Sequence, residues 1–368
     1  MYRSFSIKNF RCFDELTVEG MGRINLIAGK NNVGKTALLE ALWVHSGEVN
    51  PNLAVRVEAF RGLEQQTLEH FLESLFKGFD RNLAIEISST GDWEESPFYQ
   101  KIYFQDRSSF EIPLTELEND QLALFQNSSI GIRTSHVVVM EYSDGLGQTT
   151  VTKGRLVARH MGPVQDVGLE VAYETGQPLQ DLATSIFLAS RRASVGLEDV
   201  NRYSELEVNG EAEGVLEILQ TVEPELRRIT VVSARQAPSI YADVGAGRLI
   251  PIQLMGDGMS RILSLALAIA SAPEGTVLVD EIENGIHHSV MEKVWKAIGA
   301  FARSYDVQLF ATTHSYECIG AAYRAFEADE EDELRLFRIQ RNTDGQYKAV
   351  TYDRERLGGV LELRMEFI

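Results

Sequence analysis

The sequence predicts an α/β fold: a parallel or mixed sheet carrying a glycine-rich loop, interrupted by a helical and antiparallel β insertion. Three observations predict it. A short apolar run, RINLIAG at 23–29, leads through a glycine-bearing loop into a helix pattern from Thr36. A strand, helix, strand series follows much later: TVLVDE at 276–281, then HHSVMEKVWKAIGAFARS, then VQLFATTH at 307–314. Its strands are apolar almost throughout, as suits a parallel sheet covered on both faces. Between the two lie LAIEIS, KIYFQD, HVVVMEY and RLVAR, short runs separated by Gly, Ser, Asn and Asp that read as antiparallel strands.

Taken in order, SFSIKNFRCFDELTVE alternates as two strands around Asn9 and Asp14. Leu38, Leu39, Ala41, Leu42 and Trp43 give the helix after the loop a broad apolar face, which Gly47 and Pro51 end. Phe60, Leu63, Leu68, Phe71, Leu72, Leu75 and Phe76 keep helical spacing across 55–79. A helical stretch at 211–228 and the strand ITVVSAR at 229–235 lead back toward the core. GMSRILSLALAIASAP is apolar nearly all round, a core helix closed by Pro273. The expected division is a discontinuous core, 1–50 and 229–368, around an insertion at 51–228.

Composition narrows the function classes. The 368 residues contain no apolar run of 18, and the opening lacks the apolar region of a secretory signal, so a cytoplasmic chain with no membrane contact is expected. Cys12 and Cys318 have no metal-ligand spacing and read as packing residues. A formal charge of −19 opposes nucleic acid at long range, so DNA contact needs a local basic patch. Arg191, Arg192, Arg227, Arg228 and Arg235 are the candidates, with surface or dimer contact as the plainer reading. The acidic run EADEEDE at 327–333 reads as a solvated loop.

The chemistry gathers at three places. GKNNVGKT, Gly29 to Thr36, fits the phosphate-loop pattern. Backbone N–H groups around Gly29, Asn31, Asn32 and Gly34 and the following helix N-terminus offer donors to phosphate oxygens. Lys35 adds positive charge and Thr36 an oxygen for magnesium. Asp280, after an apolar strand, is the second candidate magnesium ligand, and Glu281 is placed to polarise a water. His314, ending its own strand on the same sheet edge, is placed to meet a γ-phosphate. ATP and Mg2+ are the cofactors this set implies.

The order FSIKNFRCF, GKNNVGKT, GDGMSR, LVDEIENGIHH, ATTHS resembles the ABC-type ATPases of the RecF, SMC and OLD (overcoming lysogenization defect) group, over residues 1–45 and 230–320 and faintly in the final ELRMEF. The resemblance implies the P-loop NTPase fold of ABC-ATPase type and a homodimer or higher homo-oligomer that sandwiches ATP. It implies that Glu281 is the catalytic base, that His314 is the switch histidine, and that Asn284 and Gly285 belong to a loop crossing the dimer interface. It also implies that Gly256 and Gly258, in place of the usual Leu-Ser-Gly-Gly-Gln signature, face the partner's nucleotide with Ser260 and Arg261 nearby. The glutamine loop has only Gln65 and Gln66 as candidates by position. His287 and His288 are adjacent on a helix pattern and point about 100° apart, against a metal site.

OLD nucleases carry a TOPRIM nuclease domain after the histidine, where this chain has 54 residues against the roughly 100 expected of such a domain. The expected partner is therefore a separate effector, a nuclease or toxin. Two functions follow from the resemblance: a magnesium-dependent ATPase that dimerises on ATP and drives a DNA-linked process or partner effector in antiphage defence or repair, or an ATP-bound sensor scaffold for which hydrolysis is incidental. A transport ATPase has no membrane contact to support it, and a small-molecule kinase no acceptor pocket.

Overall fold

Ile24, Leu26 and Ala28 turn toward one hydrophobic core while Ile27, between them, turns toward another. The same alternation places Val277 and Val279 opposite Leu278, and Leu309 and Ala311 opposite Phe310. This is the two-residue period of strands apolar on both faces, which is why these segments read as nearly continuous apolar runs.

The computed structural model describes residues 1–50, 53–54, 56–57, 61, 73–106, 136–144, 148–161, 164–175, 184–190, 195–233, 237–329 and 331–362. The chain runs through β1 (Tyr2–Phe10), β2 (Phe13–Glu19), β3 (Ile24–Ala28) and α1 (Lys35–Ser46), then β4 (Ile85–Gly91), β5 (Glu94–Asp106), β6 (His136–Ser143), β7 (Thr149–Met161) and β8 (Val164–Thr175). Next come β9 (Ser185–Leu188), α2 (Leu197–Asn209), α3 (Glu213–Gln220), β10 (Arg228–Val232), β11 (Ser239–Asp243), β12 (Ile250–Pro251) and α4 (Asp257–Ala270). Last are β13 (Thr276–Val279), α5 (His288–Ser304), β14 (Gln308–Thr312), α6 (Tyr316–Phe326), β15 (Leu334–Arg341), β16 (Tyr347–Tyr352) and α7 (Arg354–Glu362).

A six-stranded sheet in the order β16-β15-β3-β14-β13-β9 is parallel except for the β15–β16 pair. Residues from α2 through α6 fill the core on one face. Against the other face pack α1 and a seven-stranded antiparallel sheet in the order β2-β1-β4-β5-β6-β7-β8. A three-stranded antiparallel sheet, β10-β11-β12, leads into α4. Buried Gln308 ties the two larger sheets, bonding the Tyr2 N–H and carbonyl and the Gly22 carbonyl.

Several sequence expectations change here. β9, inside the expected insertion, is the edge strand of the parallel sheet, and α2 and α3 pack in the same core, so the division at 228 does not follow the sheet. Conversely β1 and β2, expected beside the phosphate site as part of the core, are strands of the antiparallel sheet. ITVVSAR, expected as a strand of buried style, supplies most of β10, which pairs antiparallel with β11 and buries only Ile229. The helix expected over 55–79 falls mostly outside the described residues; its end, Lys77–Phe79, is a 3-10 turn. The acidic run is not simply solvated. Glu333 is ion-paired with Arg23 at 2.8 Å and Arg303 at 2.7 Å, and Asp329 with Arg303 at 3.0 Å.

At the end of α1 two titrating groups oppose each other. Burial pulls the His45 imidazole down to about 4, although Gln100 partly opposes the shift, and His45 Nε2 pairs with Ser89 Oγ at 2.8 Å. Burial pushes the Glu48 carboxyl up to about 7, with Asp144 adding to the shift. A neutral buried histidine favours the fold above its ordinary 6.5, and that contribution, on the order of 3 kcal/mol, is lost as pH falls toward 4. The raised Glu48 works the other way: its contribution is present below 4.5 and lost as pH rises through about 7. Denaturant unfolding across pH 4–7 is therefore expected to show opposite trends in two variants. Relative to the unmodified chain, His45→Gln loses its stability deficit as pH falls, whereas Glu48→Gln gains stability as pH rises.

Candidate functional site

Three adjacent parallel strands, β3, β14 and β13, end on one edge, where open α/β sheets hold their ligands. The turn after β3 is the glycine loop. Gly29 (φ 144°) needs to be glycine, since a Cβ there would run into the Ile339 carbonyl oxygen of β15. Gly34 at φ 95° starts α1 in a left-handed conformation, against the Phe13 ring and Cys12 Sγ. Asn31 and Asn32 are exposed at the loop tip, and no acidic side chain occupies the first turn of α1. The helix's own first turn thus supplies no acid to compete with an incoming phosphate. Lys35 Nζ donates to the carbonyls of Gly29 at 2.8 Å and Lys30 at 3.0 Å, which holds the ammonium under the loop. Burial pulls this ammonium below its ordinary range, opposed by the charges of Asp280, Glu281 and Glu283.

Asp280 is buried, and its Oδ1 accepts from Thr36 Oγ1 at 3.0 Å and Thr312 Oγ1 at 2.7 Å. The two candidate magnesium ligands therefore meet. Neighbouring oxygens around an octahedral magnesium with bonds of about 2.1 Å are roughly 3 Å apart, so the Thr36 and Asp280 oxygens fit this hard, oxygen-seeking ion. Glu281 follows in a left-handed conformation, φ 51°, unusual for a side chain of its size. Its backbone N–H donates to Thr312 Oγ1 at 2.8 Å, and its Oε2 accepts from Asn284 Nδ2 at 2.7 Å. His314 lies beyond β14, with half its side chain exposed, and its backbone N–H and Nδ1 approach Glu283 Oε1 at 2.8 and 3.0 Å.

Gly256 (φ 103°) caps α4, and Gly256, Asp257 and Gly285 are exposed together. Gly258 has a reason internal to the chain: a Cβ would run into the Gly285 carbonyl oxygen. A bulky side chain at 258 would therefore displace the Gly285 loop within one chain, and cannot report on a partner's nucleotide. Ser260 also departs from expectation. It is buried, with Oγ turned back toward the Gly256 carbonyl at 3.4 Å, so it presents no hydroxyl at the surface. Arg261 is buried as well. Its Nη1 donates to the Ala189 carbonyl at 3.3 Å, and its Nη2 to the carbonyls of Asp280 and Glu281. Burial works against its charge, opposed by Asp280, Glu281 and Glu283.

Thr312, Glu283 and the bracing role of Arg261 were missed by sequence reasoning. Thr312 stands in the ATTHS run, but nothing in that string shows its hydroxyl turning to Asp280. His287 is the N-cap of α5 rather than a helix residue, accepting from the Ser289 N–H, and its ring stacks on His288 with centroids 4.1 Å apart. The expected divergence of the two rings, drawn from helix geometry, does not hold there. Of the basic candidates, Arg227 and Arg228 are exposed. Arg191, Arg192 and Arg235, with Gln65 and Gln66, lie outside the described residues, as does most of ELRMEF. Among the described residues no helix is long and apolar enough to cross a membrane.

Comparison with known proteins completes the picture. Residues 1–128 match the family described as "AAA ATPase domain", and residues 169–319 the family described as "AAA domain, putative AbiEii toxin, Type IV TA system". A Helicobacter pylori protein named ATP/GTP phosphatase is 24% identical over 356 residues, spanning 94% of each chain. A crystal structure of an SMC head bound to the C-terminal winged-helix domain of ScpA superposes with a TM-score of 0.50 at 13% identity, covering 97% of this chain and 99% of that one.

Proposed function

For this P-loop ATPase, with the ABC-type fold of SMC heads, we propose a magnesium-dependent homodimer that closes on ATP and passes the hydrolysis cycle to a separate effector protein. One observation carries the reading: a hydrogen-bonded array joins Thr36, Asp280, Thr312 and Glu281 across the ends of three adjacent strands. The array connects the residue pair suited to magnesium with the acid suited to act on water. The loop N–H groups and Lys35 bind the phosphates, Thr36 and Asp280 hold the ion, and Glu281 orients and deprotonates the attacking water. His314, half exposed at the same edge, faces the γ-phosphate. Bound magnesium would supply charge neutralisation as the terminal phosphate leaves.

Dimerisation through ATP is supported by the exposed residues Gly256, Asp257 and Gly285 beside this edge. A toxin-linked effector role is supported by the description "putative AbiEii toxin, Type IV TA system" that matches residues 169–319, whereas the antiphage and DNA-repair readings rest on the sequence resemblance to the RecF, SMC and OLD group. Complementation tests the sandwich. Lys35→Ala disables the loop and Asp257→Trp blocks the surface offered to a partner. Each variant alone is expected to be inactive, whereas an equal mixture regains activity through hybrid dimers holding one intact composite site. Mixtures as inactive as the separate variants would overturn the dimer. Stable ATP-bound dimers of the unmodified chain without turnover would favour the scaffold reading, and a flat dependence of DNA affinity on salt would remove DNA.

A further inference from the structure

Glu283 stands two residues beyond Glu281, separated from it by Ile282, which is buried and anchors the loop between them. Its side chain is only 10% exposed. A single oxygen, Oε1, accepts from the His314 backbone N–H at 2.8 Å and lies 3.0 Å from His314 Nδ1. The other, Oε2, is buried without a hydrogen-bond donor from the described residues. Neither side chain would be held this way by chance packing: a half-exposed imidazole has several open rotamers, and a carboxylate so near the surface is better solvated when turned outward.

We propose that Glu283 is the positioning residue of His314, holding the ring so that Nε2 is the nitrogen presented to the terminal phosphate of a bound nucleoside triphosphate. The inference rests on the γ-phosphate role given to His314 above. Two contacts on one residue fix different degrees of freedom. The bond to the backbone N–H sets the path of the chain leaving β14, and the contact at Nδ1 sets the turn of the ring. The carboxylate accepts from Nδ1–H, so Nε2 is the outward-facing nitrogen, and it donates to a phosphate oxygen in the doubly protonated ring, the form that the added phosphate charge favours. Because Glu281 and Glu283 share one short loop, the same loop that carries the acid for water also carries the support for the histidine. Loss of the terminal phosphate is therefore felt at both ends of that loop.

The test compares affinity for ATP and for ADP, each with magnesium, in His314→Ala, Glu283→Ala, Glu283→Gln and the double alanine variant. His314→Ala and Glu283→Ala are each expected to cut the preference for ATP over ADP about tenfold, with the double variant no worse than either alone. Glu283→Gln keeps an oxygen that accepts both bonds and is expected to stay within about threefold of the unmodified chain. ADP affinity serves as the control for folding, and Glu283→Leu replaces the alanine variant if that one no longer binds ADP. If His314→Ala leaves the preference intact, the γ-phosphate role of His314 itself fails. If His314→Ala reduces it and Glu283→Ala does not, only the positioning role fails. A glutamine variant as impaired as the alanine one would show that charge, rather than the hydrogen-bond acceptor, matters, and would also overturn it.

Discussion

Glu281→Gln is expected to lower ATP turnover by about 10²–10⁴-fold, the usual contribution of a general base, while leaving ATP binding intact. The amide keeps the size of the side chain and an oxygen for Asn284 Nδ2, so the loop has no cause to move. It removes a negative charge from a site that already holds Asp280 and Glu283 and will receive the charge of a triphosphate, so ATP affinity should hold or rise. Unable to hydrolyse ATP, the variant should accumulate as an ATP-bound dimer, read by light scattering with phosphate release measured in parallel. Turnover within about threefold of the unmodified chain would sink the assignment of Glu281.

The elements of this site differ in how far the sequence reveals them. The glycine loop between β3 and α1 was legible because its constraints are local: glycines at fixed offsets and a lysine-threonine pair opening a helix. Asp280, Glu281 and His314 were legible because each ends an apolar run, and parallel strands bring their ends to one edge. Thr312 and Glu283 were not. Their roles come from contacts made across 32 and 31 residues, to Asp280 and to His314, and no periodicity carries that information. Gly258 shows a related limit. Sequence marks a glycine before a helix but not which surface lies against it, and here that surface is the chain's own Gly285 loop. The fold was hidden in a similar way at β9: four residues at the edge of a sheet are too short a signal to separate from the antiparallel strands before them.

Arg261→Met is expected to cost about 2–4 kcal/mol of stability and to reduce turnover roughly 100-fold, with nucleotide affinity within about threefold. Methionine fills much of the same space but donates nothing. The carbonyls of Ala189, Asp280 and Glu281, drawn from the ends of β9 and β13, would lose their shared donor, and two of them belong to the residues proposed to hold the ion and activate water. The glycine loop proposed to bind phosphate is braced separately, by Lys35 on the carbonyls of Gly29 and Lys30, so binding and turnover should separate. Arg261→Lys should fall between, because a single ammonium cannot span carbonyls from both strands as the planar guanidinium does. Ser260→Ala is the contrasting control. Its hydroxyl only returns to its own helix at 3.4 Å, so the change should be nearly silent. A damaging Ser260→Ala beside a harmless Arg261→Met would mean that α4 acts through a surface hydroxyl after all. The reverse pattern would make α4 a lever: its exposed glycine end offered to a second subunit, its buried arginine, one turn in, gripping the backbone of Asp280 and Glu281.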